Sequence, residues 1–439
     1  MNDGANRWSH ANCADHAAVL PAALGKMLPM KRTSIALDYG GTDPLTLDVE
    51  VSALVADCLG PQGATATAAT KLVGGAVANP PSGPPLAAHV VPGDRVAIAF
   101  AGDVPQMAAV TAAVVAQISA AGVAADDITL LHAPPLEAVA GPATAAEPPA
   151  ALGGPGSIHE FDPAVVADTA YLTADEDARP LHLARVLVDA DVVVSIGGWG
   201  FDAALGGRSL DGELWPTFAR QSCRQDLIRT LAKKGRHALA GWRSNMQEIT
   251  WQLGVCASLR LVAGRGDSLA TACFGLPETA ARQAREQAAA WSPEVRAPAA
   301  LTICTLASPQ RGFAAITRAV AAAARVTQPG GTVCIASTVT VPPGTIFTRW
   351  RQGAPLEPLI HEAIGTGDSA LIADAVETRL FARALDDRRL VLLSALDEST
   401  VEDLEFGFAD TTAVVERLAR RAESLIVLRE ADRMFPRLS

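Results

Sequence analysis

The chain has 439 residues, more than one hydrophobic core usually supports, so its length predicts two domains. Hydrophobic residues make up 49% of the sequence and aromatic residues only 5%, which indicates a globular protein with cores of alanine, valine and leucine. The net charge of −11 argues against nucleic acid or an anionic membrane surface as a partner, so we expect neither.

The cysteine pattern and the apolar runs bear on the compartment. The seven cysteines are scattered without a CxxC spacing, so the sequence predicts neither a structural zinc site nor a disulfide framework. The N-terminal residues lack the basic and continuous apolar segments of a secretory signal, and no apolar run approaches the length of a membrane span. We therefore expect a cytoplasmic protein.

Residues 1–34 have mixed polarity without a period, and we expect a disordered tail there. From Arg95 onward, apolar strand-like runs alternate with alanine-rich helical runs, which is the pattern of βαβ units and largely parallel sheets. The predicted strands are residues 95–101, 128–132, 191–196 and 259–262, and then 300–306, 332–337, 389–394 and 424–428. The predicted helices include residues 105–121, 221–234 and 313–326.

This order predicts an α/β protein of two Rossmann-like domains, residues 35–285 and 286–439, with a cleft between them. The prediction leaves open whether the last segment packs back on the first domain. Two segments are rich in proline. We expect residues 79–94 to form a rigid lead-in to the strand at Arg95. We expect residues 133–157 to form a flexible excursion beyond a strand end.

A glycine-rich loop follows the strand that ends at Ile196. Loops beyond the carboxyl ends of parallel strands form the ligand crevice of open α/β sheets, and glycines allow backbone to approach a ligand closely. Between Ile196 and Trp215, however, the sequence has no histidine, lysine or cysteine that could act as a base, a nucleophile or a metal ligand. The loop predicts a binding site without obvious catalytic groups.

Several motifs, taken in chain order, resemble the nickel-dependent lactate racemase family. The first domain contributes Asp38-Tyr39-Gly40, LTLDV, PPSGPPLAAHVVPGDRVAIA, residues 158–162 and PLHLARVLVDADVVVSIGG; the second contributes TLASP, QPGGTVCIAST and FTRW. The resemblance implies the family's fold and its activity, the racemisation or epimerisation of a 2-hydroxy acid. It also implies a nickel cofactor derived from nicotinic acid and tethered to a lysine, with one histidine on the metal and two exchanging the substrate proton.

The sequence departs from the family at most of these functional positions. Ser209 stands where the resemblance expects the lysine, and Gln106 stands where it expects an arginine that grips the substrate carboxylate, although Asp103 is kept. Glu137 aligns with an expected histidine, for which His132 falls too early. Cys223 lies near the expected nickel ligand, and Arg318 replaces a lysine. We therefore predict no tethered nickel cofactor and no metal site, and we assign no catalytic residue.

Some candidate residues have structural alternatives that the sequence leaves open. Asp103 either lines the site or caps the helix predicted to begin at Pro105. Arg208 either binds an anion within the glycine-rich turn or lies in solvent. Arg318 either faces the cleft or is an exposed helix residue. His132 is interpreted as a structural residue at a strand end.

Three functions are compatible with these features. One is a divergent isomerase of a 2-hydroxy acid with another or a non-covalent cofactor. Another is a nucleotide-dependent oxidoreductase, although GGWGFDAALGG lacks the GxGxxG spacing. We favour a relative without racemase activity that binds a small carboxylate or phosphate in the cleft. The ligand-binding candidates are Asp103, Gln106, Gly206, Gly207, Arg208, Ser209 and Arg318.

Overall fold

Two six-stranded sheets organise the chain into two α/β domains, and the two sheets share no strand among the residues described. A computed structural model describes residues 31–134, 136, 156–174 and 178–439. The predicted fold class, α/β with largely parallel sheets, is confirmed. Most of the predicted excursion at residues 133–157 and residues 1–30 of the predicted tail lie outside the described residues.

The strands are numbered in chain order. They are β1 Arg32–Leu37, β2 Leu45–Glu50, β3 Leu54–Cys58, β4 Val96–Ala101, β5 Ile128–His132, β6 Ser157–Glu160, β7 Thr169–Ala174, β8 Pro180–Ala184, β9 Val192–Gly198, β10 Phe201–Asp202, β11 Gly207–Arg208, β12 Ala257–Ala263, β13 Leu269–Gly275, β14 Glu294–Val295, β15 Ala299–Thr305, β16 Thr327–Ala336, β17 Arg389–Leu393, β18 Gly407–Phe408, β19 Leu425–Leu428 and β20 Arg437–Leu438.

The α-helices follow the same convention. They are α1 Ala66–Ala78, α2 Met107–Ala120, α3 Arg185–Asp189, α4 Leu214–Thr217, α5 Gln221–Lys234, α6 Leu239–Gln252, α7 Pro277–Gln287, α8 Phe313–Ala323, α9 Thr345–Arg351, α10 Leu356–Thr366, α11 Ser369–Leu385, α12 Glu398–Asp403 and α13 Thr412–Arg421. None of the helices in the described part of the chain combines the length and apolar character that crossing a membrane requires.

The first sheet has the strand order β13-β12-β9-β4-β5-β6. All of its pairs are parallel except β12 with β13, which forms an antiparallel edge. Every residue of β4 is buried because the sheet is covered on both faces, and this explains why the run is continuously apolar. The parallel strands direct the loops after β4 and β9 to the same edge of the sheet.

The second sheet is entirely parallel, with the order β18-β17-β16-β15-β19-β3. Its edge strand β3 comes from the beginning of the described chain and pairs with β19. The hairpin of β1 and β2 packs its apolar side, which includes Ile35 and Leu47, on Ile303 and Val427 of the same sheet.

Residues 32–58 therefore lie with the second sheet, whereas the predicted division places them with the first domain and, up to residue 34, in the tail. The physical reason is pairing over a long distance in sequence, which the local pattern does not contain. Arg429, just after β19, also donates two hydrogen bonds to the carboxylate of Asp57, at 2.9 and 2.7 Å.

The end of the chain contacts both domains. The ring of Phe435 stacks on that of Phe201 in the first domain, with centroids 5.6 Å apart, and the backbone N–H of Phe435 donates to the carbonyl of Trp291. The strand β20 pairs with β14, in the segment that joins the two domains. The last segment thus closes one side of the interdomain cleft.

Candidate functional site

The candidate site is a cleft between the two domains, with a volume of about 380 Å³. The loops after β4 and β9 line it from the first domain, as the sequence predicts. The loops after β15 and β19 line it from the second. His132, the last residue of β5, also lines the cleft, and most residues of the loop after it lie outside the described part of the chain. The carboxyl ends of both sheets therefore meet at one site.

Opposite charges face each other across this cleft. The first domain supplies Asp103, Asp202, Asp211 and Asp267, and the second supplies Arg311, Arg318, Arg433 and Asp432. Asp432 is buried and accepts hydrogen bonds from the backbone N–H groups of Ala307 (2.7 Å) and Ser308 (3.1 Å), which fixes the loop after β15. The cleft is therefore lined by charged groups of both signs.

Asp103 forms an ion pair with Arg311 of the opposite domain, whose Nε lies 3.0 Å from the Asp103 Oδ2. Burial alone would raise the pKa of the Asp103 carboxyl, but Arg311, Arg318 and Arg433 outweigh it and lower the pKa. Burial alone would lower the pKa of Arg311, yet Asp211, Asp103 and Asp432 raise it. Both groups are therefore charged at neutral pH. Asp103 makes no capping bond to α2, because this helix begins at Met107.

Arg318 lies in the cleft, on α8, and its Nε donates to the Asp202 Oδ2 at 2.9 Å. The side chains are 8% and 4% exposed, so this ion pair is removed from solvent. Asp202 also accepts, through Oδ1, a hydrogen bond from the Leu205 N–H at 3.1 Å, which holds the turn between β10 and β11. The pair joins the glycine-rich loop to the second domain.

Ser209 also lines the cleft, at the position where the resemblance expects the tethering lysine. Its side chain is buried, and its Oγ has no hydrogen-bond partner among the described residues. No lysine is among the described residues that line the cleft. These residues do not fit a cofactor tethered through a lysine amine, because a serine hydroxyl offers no such amine.

The remaining wall of the cleft is aromatic, with Trp199, Phe201 and Trp291. His132 stands at the end of β5, and burial lowers the pKa of its imidazole, partly opposed by the carboxylates of Glu160 and Asp103. A neutral imidazole at pH 7 can accept a proton. His132 is therefore a cleft residue able to act as a base, which the sequence interpretation as a purely structural residue does not include.

Four of the predicted ligand-binding residues are not among the described residues that line the cleft: Gln106, Gly206, Gly207 and Arg208. Gln106 has a left-handed backbone, and its amide accepts from the Ala66 N–H at 2.8 Å and donates to the Asp267 Oδ2 at 3.0 Å. It therefore ties α1 to the loop before β13.

The glycine-rich loop folds as a small hairpin, which explains why Gly206, Gly207 and Arg208 are not among the residues that line the cleft. The Gly206 N–H donates to the carbonyl of Ala203, and Gly207 pairs with Asp202. Arg208 forms an ion pair with the buried Glu213. Burial and then the guanidinium groups of Arg260 and Arg243 lower the pKa of Arg208 to about 9, so it remains cationic at neutral pH. Its charge is compensated by the Glu213 carboxylate, and its side chain is not part of the cleft lining.

The other positions of the resemblance offer no metal site within the described residues. Burial raises the pKa of the Cys223 thiol to about 12, and Cys223 is not among the described residues that line the cleft. Glu137 lies outside the described residues. In the described ranges no group of three or more histidine, cysteine or acidic side chains is arranged to hold a metal ion.

Three charged cleft residues of the second domain were not predicted from the sequence: Arg311, Asp432 and Arg433. Each follows a correctly predicted strand of the second sheet, in the loop at its carboxyl end. Ligand sites form beyond the carboxyl ends of parallel strands in the second sheet as they do in the first. This rule would have identified the three residues from the sequence.

Comparison with solved structures shows the same fold elsewhere. The lactate racemase apoprotein from Thermoanaerobacterium thermosaccharolyticum matches over 92% of this chain and 100% of its own, with 16% identity and a TM-score of 0.66. A protein from Thermotoga maritima matches over 87% of this chain and 100% of its own, with 11% identity and a TM-score of 0.56. No protein-family model and no curated protein sequence matches the chain.

The likeness shows that this chain shares the fold of the lactate racemase apoprotein. At 16% identity it supports the fold that the sequence motifs imply and does not extend to the activity.

Proposed function

We propose that the cleft binds a small carboxylate that also carries a hydroxyl group, such as a 2-hydroxy acid, without a tethered cofactor. The observation that carries the proposal is the mixed lining of the cleft: arginines from one domain, aspartates from the other, and the unpartnered hydroxyl of Ser209. Guanidinium groups recognise carboxylates, and aspartate oxygens accept hydrogen bonds from hydroxyl groups.

The charges in the cleft favour a ligand with both kinds of group over a simple anion. Asp103 neutralises Arg311, and Asp202 neutralises Arg318, so a bare anion meets no excess of positive charge. Asp103 is 62% exposed on its side chain, and its partner Arg311 is 17% exposed, so this pair is accessible to a ligand. The carboxylate of a hydroxy acid contacts Arg311 alongside Asp103. Its hydroxyl group donates a hydrogen bond to an aspartate oxygen of the cleft.

The proposal is tested by calorimetric titration with D-lactate, L-lactate and malate, with acetate as a carboxylate that lacks a hydroxyl group. We expect saturable binding of a hydroxy acid and weaker binding of acetate. Arg311→Gln weakens it by about tenfold or more, the usual effect of losing a charged hydrogen bond. The matched control is Arg349→Gln, which removes an exposed arginine paired with Glu362 on the surface. No binding by the wild type, or equal affinity in Arg311→Gln, contradicts the proposal.

A second candidate function rests on His132. A neutral imidazole in the cleft favours a proton-transferring isomerase with a diffusible cofactor, since an acid-base group contributes about a hundred- to ten-thousand-fold to a rate. The test is deuterium incorporation from D₂O at the carbon that bears the hydroxyl group, with protein isolated from its native host. Incorporation that His132→Gln abolishes supports catalysis, and no incorporation by the wild type contradicts it.

A further inference from the structure

A second cavity, the arginine pocket, lies on the other side of the glycine-rich hairpin and shares no lining residue with the cleft. Its volume is about 190 Å³. Its floor is formed by small apolar side chains, and its charged residues are Arg236, Arg325, Arg383, Arg388 and Asp386. Four arginines converge here in a protein whose net charge is −11.

Among the described residues, an ion pair compensates only one arginine of this pocket, Arg388, whose Nη1 lies 3.8 Å from the Asp387 Oδ1. Burial, followed by the neighbouring Arg383, lowers the pKa of Arg236. Burial, followed by Arg236 and Arg437, lowers the pKa of Arg325. The charged neighbours that act on these two guanidinium groups are thus other arginines, and the one acidic residue in the lining, Asp386, is exposed. Binding of an anion relieves this repulsion.

The hydrogen bonds of the arginines leave donors available. Arg236 makes no hydrogen bond and no ion pair with any described residue, and it packs against Gly206, where a Cβ would lie 2.8 Å from Nη1. Arg325 donates from Nε to the carbonyl of Pro436 at 2.7 Å and lies over the ring of Phe435. Arg383 donates from Nη1 to the Nε2 of His237 at 3.1 Å.

Arg388 has a different role, because it donates from Nε and Nη2 to the carbonyl of Thr327, at 3.2 and 3.1 Å. These bonds fix the pocket's edge beside β16. The ligand therefore meets Arg236, Arg325 and Arg383, three guanidinium groups with unused N–H donors, above a floor that includes Ala203 and Ala321.

We propose that the arginine pocket is a binding site for a phosphate group, separate from the cleft. Phosphate suits it because guanidinium groups bind its oxygens in pairs and its double negative charge matches several cations. The pocket volume of about 190 Å³ leaves room for a phosphate group. This inference goes beyond the proposed function and does not depend on it.

The test is calorimetric titration of the full chain with inorganic phosphate at constant ionic strength, with chloride as the balancing anion. Glycerol phosphate, in a second arm, reports whether the group is bound free or as a monoester. We expect saturable binding of phosphate at one site. Arg236→Gln and Arg383→Gln each weaken it by about tenfold or more, whereas the surface variant Arg349→Gln binds as the wild type does.

The cleft variant Arg311→Gln separates the two sites, because it retains phosphate binding if the arginine pocket is the site. Arg383 is exposed, so its substitution tests the proposal even where Arg236→Gln fails to fold. The proposal is overturned by no saturable binding to the wild type, by equal affinity in Arg383→Gln and Arg349→Gln, or by loss of phosphate binding in Arg311→Gln alone.

Discussion

Asp202 and Arg318 form a buried ion pair that joins the two domains, with the Arg318 Nε 2.9 Å from the Asp202 Oδ2. Asp202 belongs to the hairpin that separates the cleft from the arginine pocket, and Arg318 lies on α8 of the second domain. Because both side chains are removed from solvent, neither charge has water to replace its partner. The pair therefore fixes the hairpin between the two proposed sites.

Removing one member of this pair is predicted to destabilise the protein. Asp202→Asn keeps an acceptor for the Leu205 N–H but removes the negative charge of the buried pair with Arg318, and we expect a loss of about 3 kcal/mol in the free energy of unfolding. The measurement is urea unfolding. The control is Glu362→Gln in the exposed pair with Arg349, which we expect to unfold as the wild type does. Equal losses of unfolding free energy in the two variants would show that the buried pair stabilises the fold no more than the exposed pair does.

Arg208 is predicted to contribute to stability and not to ligand binding. Arg208→Met leaves the buried carboxylate of Glu213 without its partner, so we expect unfolding to become easier by about 2 kcal/mol. The affinity for a hydroxy acid is expected to stay within twofold of the wild-type value, in contrast to the loss in Arg311→Gln. A tenfold loss of affinity in Arg208→Met, measured by the same titration, would place Arg208 in the site after all.

Gln106 is predicted to act as a clamp between α1 and the loop before β13. Gln106→Ala removes its bonds to Ala66 and Asp267, and we expect a loss of about 1 kcal/mol and faster amide hydrogen exchange at the start of α1. The control is Gln252→Ala, which removes an exposed bond to Glu248 within α6. Unchanged exchange near Ala66 would argue against the clamp.

The raised pKa of Glu377 predicts that the free energy of unfolding depends on pH. Burial, with a contribution from Asp374, raises the pKa of this carboxyl from 4.5 to about 7. Between these values the folded protein binds a proton that the unfolded chain has lost, so stability decreases as the pH rises from about 4.5 to about 7 and then levels off. Glu377→Gln keeps an acceptor for the Thr317 hydroxyl and removes this slope. Urea unfolding at several pH values that gives the same slope for both proteins would contradict the assignment.

The four inner strands of each sheet were predictable from their apolar runs, which are buried between the layers of the domain. A continuous apolar run such as residues 96–101 has few alternatives to a central strand of a parallel sheet, and the site then follows at the strand ends. Asp103 and Ser209 reach the cleft for this reason. The same reasoning applied to the second sheet yields Arg311 and Arg433.

The orientation of Arg208 was not predictable from the glycine-rich loop, because glycines carry no alternation of polar and apolar side chains. In the folded hairpin, Arg208 on β11 pairs with Glu213, and it is the next residue, Ser209, that lines the cleft. The placement of β3 beside β19 also has no local signal, since it depends on residues that are far apart in the sequence.

Ser209 stands in the cleft where a tethering lysine would stand. We therefore propose that the cleft holds its ligand through side-chain contacts and not through a covalent bond. The most direct measurement is the intact mass and the nickel content of the protein isolated from its native host. We expect the mass of the unmodified chain and nickel far below one atom per chain. An added mass that maps to the peptide containing Ser209, together with one nickel per chain, would contradict it.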